Sequence, residues 1–144
     1  MRRMERANAS LTADAERRIG ATGSRITQAR VRILAVLLGA GRAIGHQEIE
    51  RKLAASRVDR VTLYRVLDWL VSTGLAHRTV GVDRVWRFMA QHGDQAPHAH
   101  FECSTCGVLS CLQESAVPRV RLPKGYRGQS IDVTVRGLCG ECAA

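Results

Sequence analysis

Two cysteine pairs constrain this chain more than any other feature: Cys103-Ser104-Thr105-Cys106 and Cys139-Gly140-Glu141-Cys142. Each pair forms a tight turn, with Gly107 and Gly140 at or beside it. Two such turns let four thiolates close a tetrahedron around one zinc ion. The residues between the pairs then read as strands brought together by the metal. Such a site contributes about 10–16 kcal/mol of folding free energy. The alternative for paired cysteines is a redox dithiol. The N-terminus is basic but has no apolar stretch or small-residue cleavage site, so no secretory leader is expected. The expected compartment is the cytoplasm, where paired thiols are metal ligands or redox groups more often than disulfides.

All five cysteines lie beyond residue 83, and the charge is divided too. Residues 1–83 carry 15 basic and 8 acidic side chains, whereas residues 84–144 carry 7 and 5. The basic, cysteine-free part suggests a nucleic-acid partner. The chain has 144 residues, enough for one domain or two small ones. Its aromatic content of 4% means a core of Leu, Val, Ile and Ala. The longest apolar run, residues 33–38, is far too short to span a bilayer.

Residues 1–10 lack apolar periodicity and read as a basic tail. A short helix is expected over 11–19, within a basic extension covering 1–23. Thr27 caps a second helix whose Val31, Leu34, Ala35 and Leu38 share a face, ending at Gly39 and Gly41. A third helix is expected over 46–55. Asp59 caps a fourth over 60–73, with Leu63, Val66, Leu67 and Leu70 as its stripe. Extended runs at 75–80 and 84–89, joined by Gly81-Val82-Asp83, read as a hairpin. Helices followed by a hairpin outline a winged helix-turn-helix over 24–89, which lays its last helix in the major groove. Arg60, Thr62, Tyr64 and Arg65 are the candidate DNA-contacting residues on that helix. A polar stretch at 90–97 is a hinge linker. Strands are expected over 100–103, 108–112 and 130–136, within a second domain covering 98–144. A short helix over 115–122 is limited by Pro118 and Pro123.

His98-Ala99-His100 places two imidazoles on one face of a strand, within reach of one ion. Cys111 is left over from the four-cysteine set. A zinc deaminase also combines His with Cys-x-x-Cys. It needs a His-x-Glu and a Pro before the first cysteine, and this chain has neither at that place. No glycine-rich phosphate loop or nucleophile elbow is present, so an enzyme is not expected.

Together these segments resemble the Fur family of metal-responsive bacterial repressors. The resemblance is carried by Thr27-Gln28-Ala29-Arg30, by Val61-Thr62-Leu63-Tyr64-Arg65-Val66-Leu67 and Gly74-Leu75, and by His98-Ala99-His100-Phe101-Glu102-Cys103-Ser104-Thr105-Cys106-Gly107 with Gly137-Leu138-Cys139-Gly140-Glu141-Cys142. It covers residues 24–142 in the family's order and spacing. It implies an α+β chain: an N-terminal winged helix followed by a small dimerisation domain with a four-cysteine zinc site. It further implies a cytoplasmic homodimer that binds a palindromic operator when loaded with metal. Tyr64 and Arg65 would approach the DNA. Cys103, Cys106, Cys139 and Cys142 would hold structural zinc, and His98 and His100 would belong to a sensing site.

Within the family, iron and peroxide sensors place a His just before the third helix and an acidic residue in the second wing strand. The corresponding positions here are Ala43 and Arg87. Members of the Zur group, its zinc sensors, place a His or Asp after the Gly-Leu that ends the recognition helix, where this chain has His77. They add a Cys at the end of the wing, where this chain has Met89. The resemblance thus implies a sensing set of His77, His98, His100 and Cys111, with His46 and His92 as possible substitutes. One structural and one regulatory zinc ion per subunit follow, and control of zinc-uptake genes. The alternatives are a sensor of iron, nickel or peroxide, or a constitutive basic zinc-ribbon protein. Segment 113–125 is short beside the family's dimerisation helix.

Overall fold

Thr27 and Asp59 start two helices by the same device. In the computed structural model, which describes residues 2–91, 98–112, 117–129 and 131–144, each side chain accepts an amide of the first turn. Thr27 takes the Arg30 N–H at 3.3 Å and opens α2 (Gln28–Ala40). Asp59 takes the Thr62 N–H at 2.8 Å and opens α4 (Arg60–Ser72). Both caps satisfy amides that the helix itself leaves open. Gly41 ends α2 with φ 63°, a left-handed conformation that a Cβ disfavours.

The chain divides into two units, Met1–Gln91 and His92–Ala144. In the first, Val31, Ile33, Leu34, Leu37 and Leu38 of α2 meet Leu63, Val66, Leu67 and Leu70 of α4 in one buried cluster. Fully burying each such side chain is worth about 1.5–3 kcal/mol. The cluster also takes Ala15 and Ile19 of α1 (Arg2–Ala21) and Ile49 of the short α3 (His46–Lys52). A three-stranded sheet covers it: β1 (Ile44–Gly45), β2 (Ala76–Val80) and β3 (Trp86–Ala90), in the order β1-β3-β2. The antiparallel β2–β3 hairpin pairs His77 with Met89 and Val80 with Trp86. This is the expected winged-helix outline.

Three features differ from the sequence reading. The first helix starts at Arg2 rather than near residue 11, so the segment expected as a tail is helical. Among its described residues, Leu11, Ala15 and Ile19 are the apolar side chains that pack on the core. Upstream, Ala, Arg, Met and Glu propagate the helix on propensity alone, at one bond per residue, and leave no apolar stripe to read. The second feature is β1, two residues long, which pairs Ile44 with Phe88. A strand that short has no periodicity. The third helix also stops at Lys52, before residue 55.

The second unit is built on β4 (Ala99–Cys103). It pairs antiparallel with β5 (Leu109–Leu112) and parallel with β6 (Thr134–Gly137), in the order β5-β4-β6. Ala99, Glu102, Cys103 and Leu109 are the buried residues among those described here. The buried Glu102 carboxylate takes an N–H of Arg136 at 3.1 Å across the β4–β6 pair. The described part of the proline-containing segment, residues 117–129, has neither helix nor strand. His92, most of the expected linker and residues 113–116 lie outside the described residues; Ala90 belongs to β3. Among the described residues no helix is long and apolar enough to cross a membrane.

Candidate metal centres and DNA-reading helix

The four paired cysteines meet because β4 and β6 run side by side. Cys103 ends β4 opposite Gly137, which ends β6 two residues before Cys139. The Ser104 amide and hydroxyl both donate to the Gly137 carbonyl, at 2.8 and 3.0 Å, and lock the two knuckles together. Gly107 closes the first knuckle at φ 72°, with its amide 2.9 Å from the Cys103 carbonyl. Cys103, Cys106, Cys139 and Cys142 then offer sulfurs within 4.8 Å of one another. The Cys106 and Cys139 sulfurs are 3.7 Å apart. With zinc–sulfur bonds of ~2.3 Å, a regular tetrahedron has an edge of about 3.8 Å, so the spacing fits that ion.

The electrostatics of the cluster point the same way. Amides of Cys106 and Cys139 hold the Cys103 thiol down to about 6. Hydrogen bonds with the Cys139 and Cys106 sulfurs push Cys142 up to about 12. One thiolate is thus stabilised at neutral pH while its neighbour resists ionising beside it. Four thiolates at this distance need a cation at their centre.

A second cluster sits at the other end of β4. The strand's alternation puts His98 and His100 on one face, with ring centroids 4.9 Å apart. His100 faces Cys111 of β5 directly in the antiparallel register. His98 Nε2 lies 3.1 Å from Cys111 Sγ. The ligand atoms of His98, His100 and Cys111 all lie within 4.8 Å of one another. Burial, and after it the neighbouring His98, lower the His100 pKa, which favours a neutral imidazole. Burial pushes the Cys111 thiol up to about 11. Two imidazoles and one thiol form a soft donor set that suits zinc better than a hard, oxygen-seeking ion.

His77 lies in the first unit, on β2, with Nδ1 2.8 Å from the Gln91 side-chain oxygen. Gln91, which the sequence reading passed over, fixes the orientation of this imidazole through Nδ1. Met89, opposite His77 on β3, is buried. His46 is placed elsewhere: its ring stands 5.7 Å from that of Tyr64. Ala43 is buried, and Arg87 is held by Asp83 at 2.6 Å, so neither offers the ligand an iron-type site would need.

On α4, Leu63, Val66, Leu67 and Leu70 turn inward, leaving Arg60, Tyr64 and Arg65 exposed and Thr62 half-buried. The Thr62 hydroxyl donates to Asp59 at 2.8 Å. Arg60 is taken by Glu50 of α3. The Glu50 contact left no trace in the sequence, because it joins residues on different helices.

The sequence model of the Ferric uptake regulator family matches residues 21–124. Solved structures share the fold. A zinc uptake regulator complexed with zinc and DNA superposes with a TM-score of 0.68 at 21% identity, covering 94% of this chain and 95% of that one. The ferric uptake regulator of Helicobacter pylori, whose structure has three functional metal-binding sites, gives 0.62 at 16% identity, covering 95% and 94%. That of Pseudomonas aeruginosa with manganese gives 0.60 at 18% identity, covering 88% and 98%. No curated protein sequence matches the chain. The matched span takes in the capped helices, the β2–β3 hairpin, and both β4 and β5, so the chain belongs to the ferric uptake regulator family and is a metal-responsive DNA-binding regulator, not an enzyme.

Proposed function

We propose that this regulator is a zinc-responsive repressor of zinc-uptake genes, acting in the cytoplasm as a homodimer on a palindromic operator. The carrying observation is the donor set at the start of β4 and on β5: His98, His100 and Cys111, two nitrogens and a sulfur, joined by no carboxylate among the described residues. His77 of the wing is the fourth ligand in this proposal. Bound zinc would supply a tetrahedral junction among these four groups and, separately, among the four paired cysteines. Cys103, Cys106, Cys139 and Cys142 hold their unit together whether or not the sensing residues are engaged. His98, His100 and Cys111 form the fixed jaw of the sensor, and His77 carries the wing to it. Closing the four together sets the wing's orientation. In a two-fold dimer that fixes the spacing of the two α4 helices against half-sites one turn apart. Arg60, Thr62, Tyr64 and Arg65 then meet the DNA. By linkage, operator DNA tightens the grip of the sensing residues on the metal.

The test is operator binding against buffered free zinc, with iron, nickel and manganese as competitors. Wild type should bind only in the zinc-loaded state. Cys111→Ala and His98→Ala should lose the zinc response. A response to another metal alone would overturn the zinc assignment. Binding without any exchangeable metal would instead favour a constitutive zinc-ribbon protein.

A further inference from the structure

Two side chains of α3 reach the exposed face of α4. His46 and Glu50 are one turn apart on α3, and Arg60 and Tyr64 are one turn apart on α4. His46 stacks obliquely on Tyr64. Glu50 accepts from Arg60 with both oxygens, at 2.8 Å from Nε and 3.3 Å from Nη2. The Arg60 side chain is 70% exposed and that of Glu50 29%. The pair therefore sits at the rim of the face and not in the core. Arg65, five residues further along the helix, is exposed, and its side chain makes no hydrogen bond or ion pair among the described residues. The helix thus presents two arginines in different states, one tethered by a planar two-pronged contact and one available.

The difference matters because an arginine near a duplex adds phosphate attraction regardless of sequence. A carboxylate that occupies the Nε–Nη2 edge of the guanidinium offsets its charge and fixes its plane. An exposed pair is weak, so a well-placed phosphate displaces the carboxylate while a poorly placed one does not. We propose that Glu50 is a positioning residue for DNA binding: it holds Arg60 on α3, suppresses sequence-independent attraction to phosphate, and leaves Arg65 to lead. The proposal rests on α4 being the DNA-reading helix.

The experiment measures binding of the zinc-loaded full-length protein to a random-sequence duplex across a salt series. It uses wild type, Glu50→Gln, Arg60→Ala, the double variant and Arg65→Ala. Glu50→Gln should bind more tightly, and its log–log salt slope should steepen by about 0.9 per subunit, the signature of one more phosphate contact. The gain should vanish in the Arg60→Ala background. Thermal melts run alongside separate this from a folding effect, which would move the melt but not the slope. A gain that persists without Arg60 would overturn the proposal, since Glu50 would then act as a simple repelling charge. No gain while Arg65→Ala weakens binding would also overturn it, and would leave the DNA-reading role of α4 standing. Arg65→Ala binding like wild type would remove that role, and the proposal with it.

Discussion

The two units of this protein are held together by different physics. The first buries a continuous apolar cluster drawn from four helices and a sheet. The second has little to bury: Ala99, Leu109 and Cys103 are its buried apolar residues among those described, beside the carboxylate of Glu102. What it has instead is four sulfurs gathered at one point. A small sheet of this size does not stabilise itself by burial, and small domains short of core rely on a staple. The first unit is therefore a hydrophobic fold, and the second, with its four-cysteine cluster fitted to a metal ion, is proposed to be a metal-stapled one.

That contrast predicts unequal responses to the same kind of damage. The largest effect is expected from Cys103→Ser, which removes the sulfur on which both knuckles converge. The loss approaches the ~10–16 kcal/mol that structural zinc contributes, enough to unfold the second unit. Both tryptophans, Trp69 and Trp86, lie in the first unit, so their fluorescence should remain native while β4–β6 lose their NMR dispersion. A native second unit in the metal-free variant would refute the contrast. Leu34→Ala should do the reverse. Leu34 is fully buried, and the cavity should cost about 2–5 kcal/mol, read as an earlier tryptophan transition, with the zinc content unchanged.

Cys111→Ala separates the two clusters inside the second unit. It should abolish one exchangeable ion per subunit in elemental analysis while the four-cysteine ion and the fold persist. Loss of both ions would mean that the clusters are not independent. The smallest effect is expected from Thr27→Ala, which leaves the Arg30 amide without its cap and should cost about 1 kcal/mol, confined to the first unit. An equal loss in the second unit would argue that the two do not unfold separately.

Much of this was legible in residue order, and the legible parts are local. Thr27 and Asp59 cap their helices because a side chain and an amide three residues on are always near each other. The stripe of Leu63, Val66, Leu67 and Leu70 announces a helix of period 3.6, and the alternation of His98 and His100 announces a shared face. The start of α1 was not legible, since its described early side chains, Met4 to Ser10, are exposed and lie outside the core cluster. Nor was β1, whose two residues show no period and whose ladder partners, Phe88 and Arg87, lie far along the chain.

Residue order settled the composition of the four-cysteine site: a Cys-x-x-Cys turn folds on itself, so each pair converges without help from the rest of the chain. Tertiary structure settled what those turns and imidazoles meet. Placing β4 between β5 and β6 joins Cys103 to Cys139 across 36 residues and sets Cys111 against His98 and His100. Packing α3 beside α4 ties Arg60 to Glu50 and Tyr64 to His46. Contacts of that range depend on strand order and helix packing, which are decided by burial of the whole chain and written in no single stretch of it.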